Sequence, residues 1–336
     1  MEPEHEQWLA QVVEEPLDPT QLICDPHHHL WDHPGDRYLL DELRSDTGAG
    51  HNVSRTVFVE CRSAYRDEGP DALRPVGETD FVLAAAEQSR RSDGAEIAAI
   101  VGFADLLLGD AVDEVLEAHA AAADGRFRGV RHASAWDASS DIRASHTNPP
   151  PRLFEEPSFR QGVAALGRAG LHFEAWLYHP QLPELTDLAR ALPEVPVVLD
   201  HLGGPLGIGP YKGRRDEVRE TWREHMTDVA SCPNVVLKLG GIGMPVFGLD
   251  WHRRPEPPSS MALAAAWGPD IAWCIETFGP ERCMFESNFP VDRRSCSYTV
   301  LWNAFQRIAE AASDTERALL FHDTATRAYR LDGGAN

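Results

Sequence analysis

The chain of 336 residues is short of several things, and each shortage narrows what it can be. No apolar run approaches the roughly 20 residues of a membrane span, so no membrane partner is expected. Met1 to Pro19 is acidic and has no apolar h-region, which argues against a signal peptide. The six cysteines (Cys24, Cys61, Cys232, Cys274, Cys283, Cys296) show no CxxC spacing, and several lie in apolar stretches. They read as reduced thiols of a cytoplasmic protein. Basic residues are scarce: 31 Lys plus Arg stand against 53 Asp plus Glu, a net charge of −22. That balance argues against nucleic acid as a partner and leaves a small-molecule substrate. There is no internal repeat, no low-complexity tract and no domain linker.

What is present is a rhythm. After a polar lead-in, residues 1–20, short apolar runs alternate with helical patterns over residues 21–332. Strands are expected at about 22–28, 55–61, 97–104, 127–133, 171–178, 195–200, 234–239 and 282–287. Helices are expected at about 79–91, 110–123, 157–169, 183–192, 214–231, 260–278, 298–312 and 315–329, with Thr79 as an N-cap. Eight such strands in alternation predict an α/β fold, a single-domain (β/α)8 TIM barrel. A doubly wound sheet is the runner-up, but no GxGxxG follows the first strand. In a barrel the chemistry belongs at the carboxyl ends of the strands.

Those ends carry a consistent set. The first strand runs into Asp25-Pro26-His27-His28-His29-Leu30-Trp31. Residues two apart on a strand share a face, so His27 and His29 pair, as imidazoles that hold a divalent metal often do. Further ends carry Glu60-Cys61-Arg62, Arg131-His132, Glu174 with Trp176 and Tyr178-His179, Asp200-His201, Lys238, and Glu286-Ser287-Asn288. Each has a bland reading too. Lys238 is either paired inside the barrel or snorkelling, His132 is a satisfied core histidine, and Glu174 and Asp200 are structural acids. His201 is the first choice as acid/base and Glu286 the second. Arg62 and Arg131 suit a carboxylate clamp. The loop after the seventh strand carries Trp251 and His252, and Trp31 and Trp176 lie at other strand ends. These four are candidate substrate contacts.

Four segments in order carry a resemblance: Asp25 to His29, Val198 to Pro205, Asn234 to Gly241 and Arg282 to Val291. The chain resembles the amidohydrolase superfamily, and within it the amidohydrolase-2 group that includes sugar-acid lactonases and 2-pyrone-4,6-dicarboxylate lactonase. The resemblance implies His27, His29 and His179 as metal ligands, a divalent metal such as Zn2+, and His201 as ligand or acid/base. It also implies an acid on the eighth strand, where this chain has Asn288. Asn cannot accept a proton as a base, so Glu286 or Asp292 is expected to take that place. The implied activity is hydrolysis of a small lactone or ester-like bond; the strand ends themselves add Arg131 and Lys238 to His201, Glu286 and Asn288 as catalytic candidates. Alternatives are a metal-dependent non-oxidative decarboxylase, a non-hydrolytic isomerase or cyclase, and a barrel that only binds. A homo-oligomer is compatible with all of these.

Overall fold

A computed structural model describes residues 3–91 and 93–331. Eight parallel strands form one sheet in chain order: β1 (Leu22–His28), β2 (Asn52–Val59), β3 (Glu96–Gly102), β4 (Phe127–Arg131), β5 (His172–Ala175), β6 (Val197–Leu199), β7 (Val235–Leu239) and β8 (Cys283–Phe285). The sheet comes round on itself. His29 N donates to Phe289 O at 2.8 Å, and Asn288 N donates to His27 O at 2.9 Å. Asp25 ties the seam: Oδ1 accepts from Ser287 N and Oδ2 from the Tyr298 hydroxyl, each at 2.9 Å. Helices surround this nearly closed barrel, a single-domain (β/α)8 TIM barrel as expected.

The period of two sorts the strand residues. Val57 and Val59, Ala99 and Val101, Val198 and Met284 fill the barrel interior with Cys24, and Ala325 and Tyr329 close it from the C-terminal helix. The outward residues, such as Phe58, Ile100, Phe173, Leu199 and Phe285, pack beneath the helices in the main core. One step further along the inward face come the polar residues. Asp200 lies two beyond Val198, Glu286 two beyond Met284, Lys238 two beyond Val236 and Glu174 two beyond His172. The barrel therefore holds a small-residue floor and a charged upper layer.

Expected and observed elements differ mainly at ends. The strands after β1 begin or stop a few residues from the expected bounds, because backbone pairing rather than β-propensity sets their length. Thr79 is inside the helix Val76–Arg90, not its cap, and its hydroxyl lies 2.7 Å from His119 Nδ1. The expected last helix is broken into Asp314–Ala318, a π turn Leu319–Asp323 and Thr324–Ala328. A two-stranded ribbon, Trp31–His33 with Asp36–Tyr38, and a helix Leu40–Thr47 follow β1. The Pro34-Gly35 pair was the available signal for that ribbon, with Gly35 at φ +78°. The acidic lead-in forms a helix, Pro3–Leu9, and residue 332, the expected end of the domain, lies outside the described residues. All six cysteines are free thiols, and among the described residues no helix is long and apolar enough to cross a membrane.

The helix Pro157–Arg168 packs so closely on the Leu106–Val112 turn that a Cβ at Gly162 would lie 2.2 Å from Leu106 O. Neither partner is a flexible side-chain tip. Gly162→Ala is expected to lower unfolding free energy by about 1–3 kcal/mol, read as a shift in the urea midpoint at constant slope.

Candidate active site

The charged layer converges on His27. Its Nδ1 lies 2.8 Å from Glu286 Oε2 and 3.1 Å from Lys238 Nζ. Its Nε2 lies 3.3 Å from His29 Nε2 and 3.2 Å from Arg131 Nη1. His29 donates from Nδ1 to Val59 O at 2.8 Å, so its Nε2 carries the lone pair. Burial holds His29 near pKa 3, below its usual range, with Arg131 adding to the effect. His28 points the other way, to Thr56 and the edge of Phe58, and burial also holds it at about 3.

Lys238 is fully buried. Its Nζ donates to Glu174 Oε1 and lies 3.2 Å from Asp200 Oδ1. Glu174 Oε2 in turn accepts from the Tyr329 hydroxyl at 3.0 Å and lies 3.3 Å from His172 Nε2. Burial alone would raise the Glu174 carboxyl, but Lys238 draws it well below the usual carboxylate range. Asp200 goes the other way: burial pushes it up to about 7, against the pull of Lys238. Glu60 is held at about 2, because Arg131 overcomes the cost of its burial. Arg131 spends two nitrogens on Glu60, with Nε 2.9 Å from Oε1 and Nη2 on the Glu60 carbonyl, and turns only Nη1 toward His27.

His201 sits just beyond β6 at φ +53°, as does Leu202, a conformation that non-glycine residues rarely hold without support. Glu286 supplies that support. Its Oε1 lies 2.6 Å from His201 Nδ1 and accepts from His201 N at 3.2 Å. Burial would lower His201, but Glu286 raises it above the usual histidine value. The Gly240-Gly241 pair lets β7 close over this contact. A Cβ on Gly241 would lie 2.1 Å from His201 Nδ1, and one on Gly240 would lie 2.4 Å from Glu286 Cγ. The Trp176 ring meets the His201 ring edge-on at 4.8 Å.

The structure thus brings His27, His29, Arg131, Lys238, His201 and Glu286 together. Other candidates lie elsewhere. His179 does not join the histidine pair: its Nδ1 accepts from Leu206 N at 3.3 Å and its ring meets Tyr211. It opens a short turn, His179–Gln181, beyond the end of β5, and is buried there. Asn288, at φ +55°, donates from Nδ2 to Asp292 Oδ1 at 2.9 Å. Asp292 is buried and raised to about 7. Glu286 is 4.0 Å from Lys238, whose closer partners are Glu174 and Asp200. Arg62 is exposed at φ +64°, and Arg131, the other member of the expected clamp, is held by Glu60. Trp251 is buried under the Arg254 guanidinium, and Trp31 stacks on His29 at 5.9 Å. Tyr329 and His146, 3.2 Å from Glu60 Oε2, carried no signal in the sequence.

Among the described residues, two groups lie close enough to hold a metal ion: His27 with His201 and Glu286, and His27 with Glu174 and Asp200. Each group keeps unmet acceptors: both Asp200 carboxylate oxygens and Glu286 Oε2 are buried with no hydrogen-bond partner among the described residues. The Lys238 ammonium lies among the three members of the second group, and in the first Glu286 bridges the two imidazoles. A cation at the His27–His29 pair would face the Arg131 guanidinium at like charge. The donors of the first group, His27, His201 and Glu286, fit a divalent metal, while Lys238 stands among the members of the second.

The fold and this site define a barrel enzyme class, and the comparisons name the family. The amidohydrolase family profile matches residues 24–331, and the chain belongs to that family. It is 32% identical over 324 residues to the uncharacterized protein y4mH of Sinorhizobium fredii, covering 92% of this chain and 98% of that one. It is 30% identical over 328 residues to an L-fucono-1,5-lactonase of Burkholderia multivorans, covering 92% and 96%. A crystal structure of a Burkholderia multivorans amidohydrolase with bound Zn superposes with a TM-score of 0.71 at 26% identity, covering 92% and 99%. A 2,6-dihydroxybenzoate decarboxylase from Rhizobium, at 14% identity, 93% and 99% coverage and TM-score 0.54, shares the fold alone.

Removing the Lys238 ammonium strands Glu174 and Asp200 in a dry interior. Lys238→Met is expected to cost about 3–5 kcal/mol of stability, measured by urea unfolding at pH 7. The loss should shrink as the pH falls and the two acids protonate.

Proposed function

We propose that the protein hydrolyses a small lactone or a similar cyclic ester. The observation that carries this reading is the Glu286–His201 contact at 2.6 Å beside the cationic Arg131 and Lys238. The likeness to an L-fucono-1,5-lactonase supports the same class. Neutral His201 takes a proton from the attacking water, and as imidazolium it returns that proton to the ring oxygen that leaves. Glu286 orients the imidazole and favours its charged form, as the carboxylate of a catalytic triad does. The Arg131 Nη1 donor faces the developing oxyanion. His27 and His29 form the wall between them.

A relative holds Zn. Here His27, His201 and Glu286 would hold such a metal, which would supply a Lewis acid toward the lactone carbonyl, and the steps above are those of the chain's own residues. The decarboxylase alternative has behind it a likeness of fold at 14% identity. Asn288 serves here as the donor that fastens Asp292.

Glu286→Gln tests the pairing. It should lower kcat for lactone hydrolysis by about 10²–10⁴-fold. Without the carboxylate, His201 loses proton affinity, so the acidic limb of the pH–rate profile should move to lower pH. A profile that drops in height without moving would place Glu286 outside the acid/base pair.

A further inference from the structure

The loops after β1, β7 and β8 enclose a second feature at the catalytic face, a cavity of about 590 Å³ lined by His5, Trp31, Asp36, His252, Pro290 and Arg294. The N-terminal helix supplies His5, whose Nε2 lies 2.9 Å from the Arg293 carbonyl oxygen and so is fixed against the β8 loop. Trp31 is the wall shared with the active site, because its ring stacks on His29 with centroids 5.9 Å apart.

Three polar groups of this lining, on Arg294, Trp31 and His252, are left without a side-chain partner among the described residues. Arg294 is exposed and has no side-chain hydrogen bond or ion pair among the described residues. Its neighbours are committed: Arg293 to Glu6 at 2.8 Å, Arg253 to Asp250 at 3.8 Å, and Arg254 to the Trp251 ring. In a chain of net charge −22, a guanidinium left without an acid is notable as chemistry: its counter-charge is expected from outside. Two buried atoms of the same wall, Trp31 Nε1 and His252 Nδ1, also lack hydrogen-bond partners. A buried indole N–H normally finds an acceptor. The lining thus presents a planar cation, an unsatisfied indole donor and imidazoles around a partly apolar space.

The ligand chemistry follows from that lining. One guanidinium matches a planar carboxylate in two-point contact. The Asp36 carboxyl on the same wall opposes a dianion such as phosphate. Trp31 and Pro290 accept a flat or aliphatic body. We infer that this cavity is a carboxylate-binding subsite, and that the lactone substrate carries an acidic group remote from its reacting carbonyl. The substrate half of the inference rests on the lactonase reading, and the subsite half stands without it.

Two measurements on the full chain separate the halves. Calorimetric titration compares benzoate with its neutral analogue benzyl alcohol. Benzoate should bind at least tenfold more tightly, and Arg294→Met should remove that preference with the melting temperature unchanged. Turnover then compares a carboxylate-bearing lactone with its methyl ester, and the preference for the acid should fall at least tenfold in Arg294→Met. Benzoate binding that is absent, or equal in the two proteins, overturns the subsite. Arg294-dependent binding with neither lactone hydrolysed keeps the subsite and overturns the lactonase reading. Hydrolysis of both lactones with no change in preference keeps the lactonase reading and overturns the acidic substrate.

Discussion

One buried ammonium organises the interior of this barrel. Lys238 has no exposed surface, and within 3.2 Å it reaches His27 and Asp200 while donating to Glu174. Taking that charge out of water is costly, and the cost is offset only where several oxygens surround it. The acids in turn need the lysine, and Glu174 leans further on Tyr329 from the C-terminal helix. The floor of the barrel, the charged layer and the chain's end are therefore coupled through one side chain.

The same interaction shapes the chemistry above it. Four buried acids, Glu60, Glu174, Asp200 and Glu286, face two permanent cations, Arg131 and Lys238. The imbalance is relieved where protons are held: Asp200 is raised to about 7, and His201 is raised by its contact with Glu286. A site that settles its charge in this way raises the proton affinity of the imidazole that faces Trp176. Asn288, just beyond the eighth strand, takes no part in that balance. Its amide closes a local contact with Asp292 instead of carrying charge.

Much of the architecture was legible in the residues. Apolar runs such as Val197–Leu199 and Val235–Leu239, spaced by helical patterns, announce parallel strands buried on both faces. The period of two placed His27 with His29, and the strand ends collected Arg131, His201, Lys238 and Glu286 before any coordinates. What stayed hidden depended on direction and distance. His179 reads like its neighbours in sequence, but a turn directs its ring toward Tyr211. Arg131 reads as a free clamp, but Glu60, 71 residues away, takes two of its nitrogens. Tyr329 has no motif around it, and only the packing of the last helix under the barrel brings it to Glu174.

The sequence alone determined the barrel, the catalytic face and the family, because those follow from local periodicity and from short segments in order. The tertiary structure decided which side chain answers which. Pairings such as Lys238 with Glu174 and Glu286 with both His27 and His201 are set by where strands far apart in the chain end in space. Hydrogen bonds and ion pairs act over about 3 Å, a distance that no spacing along the chain encodes.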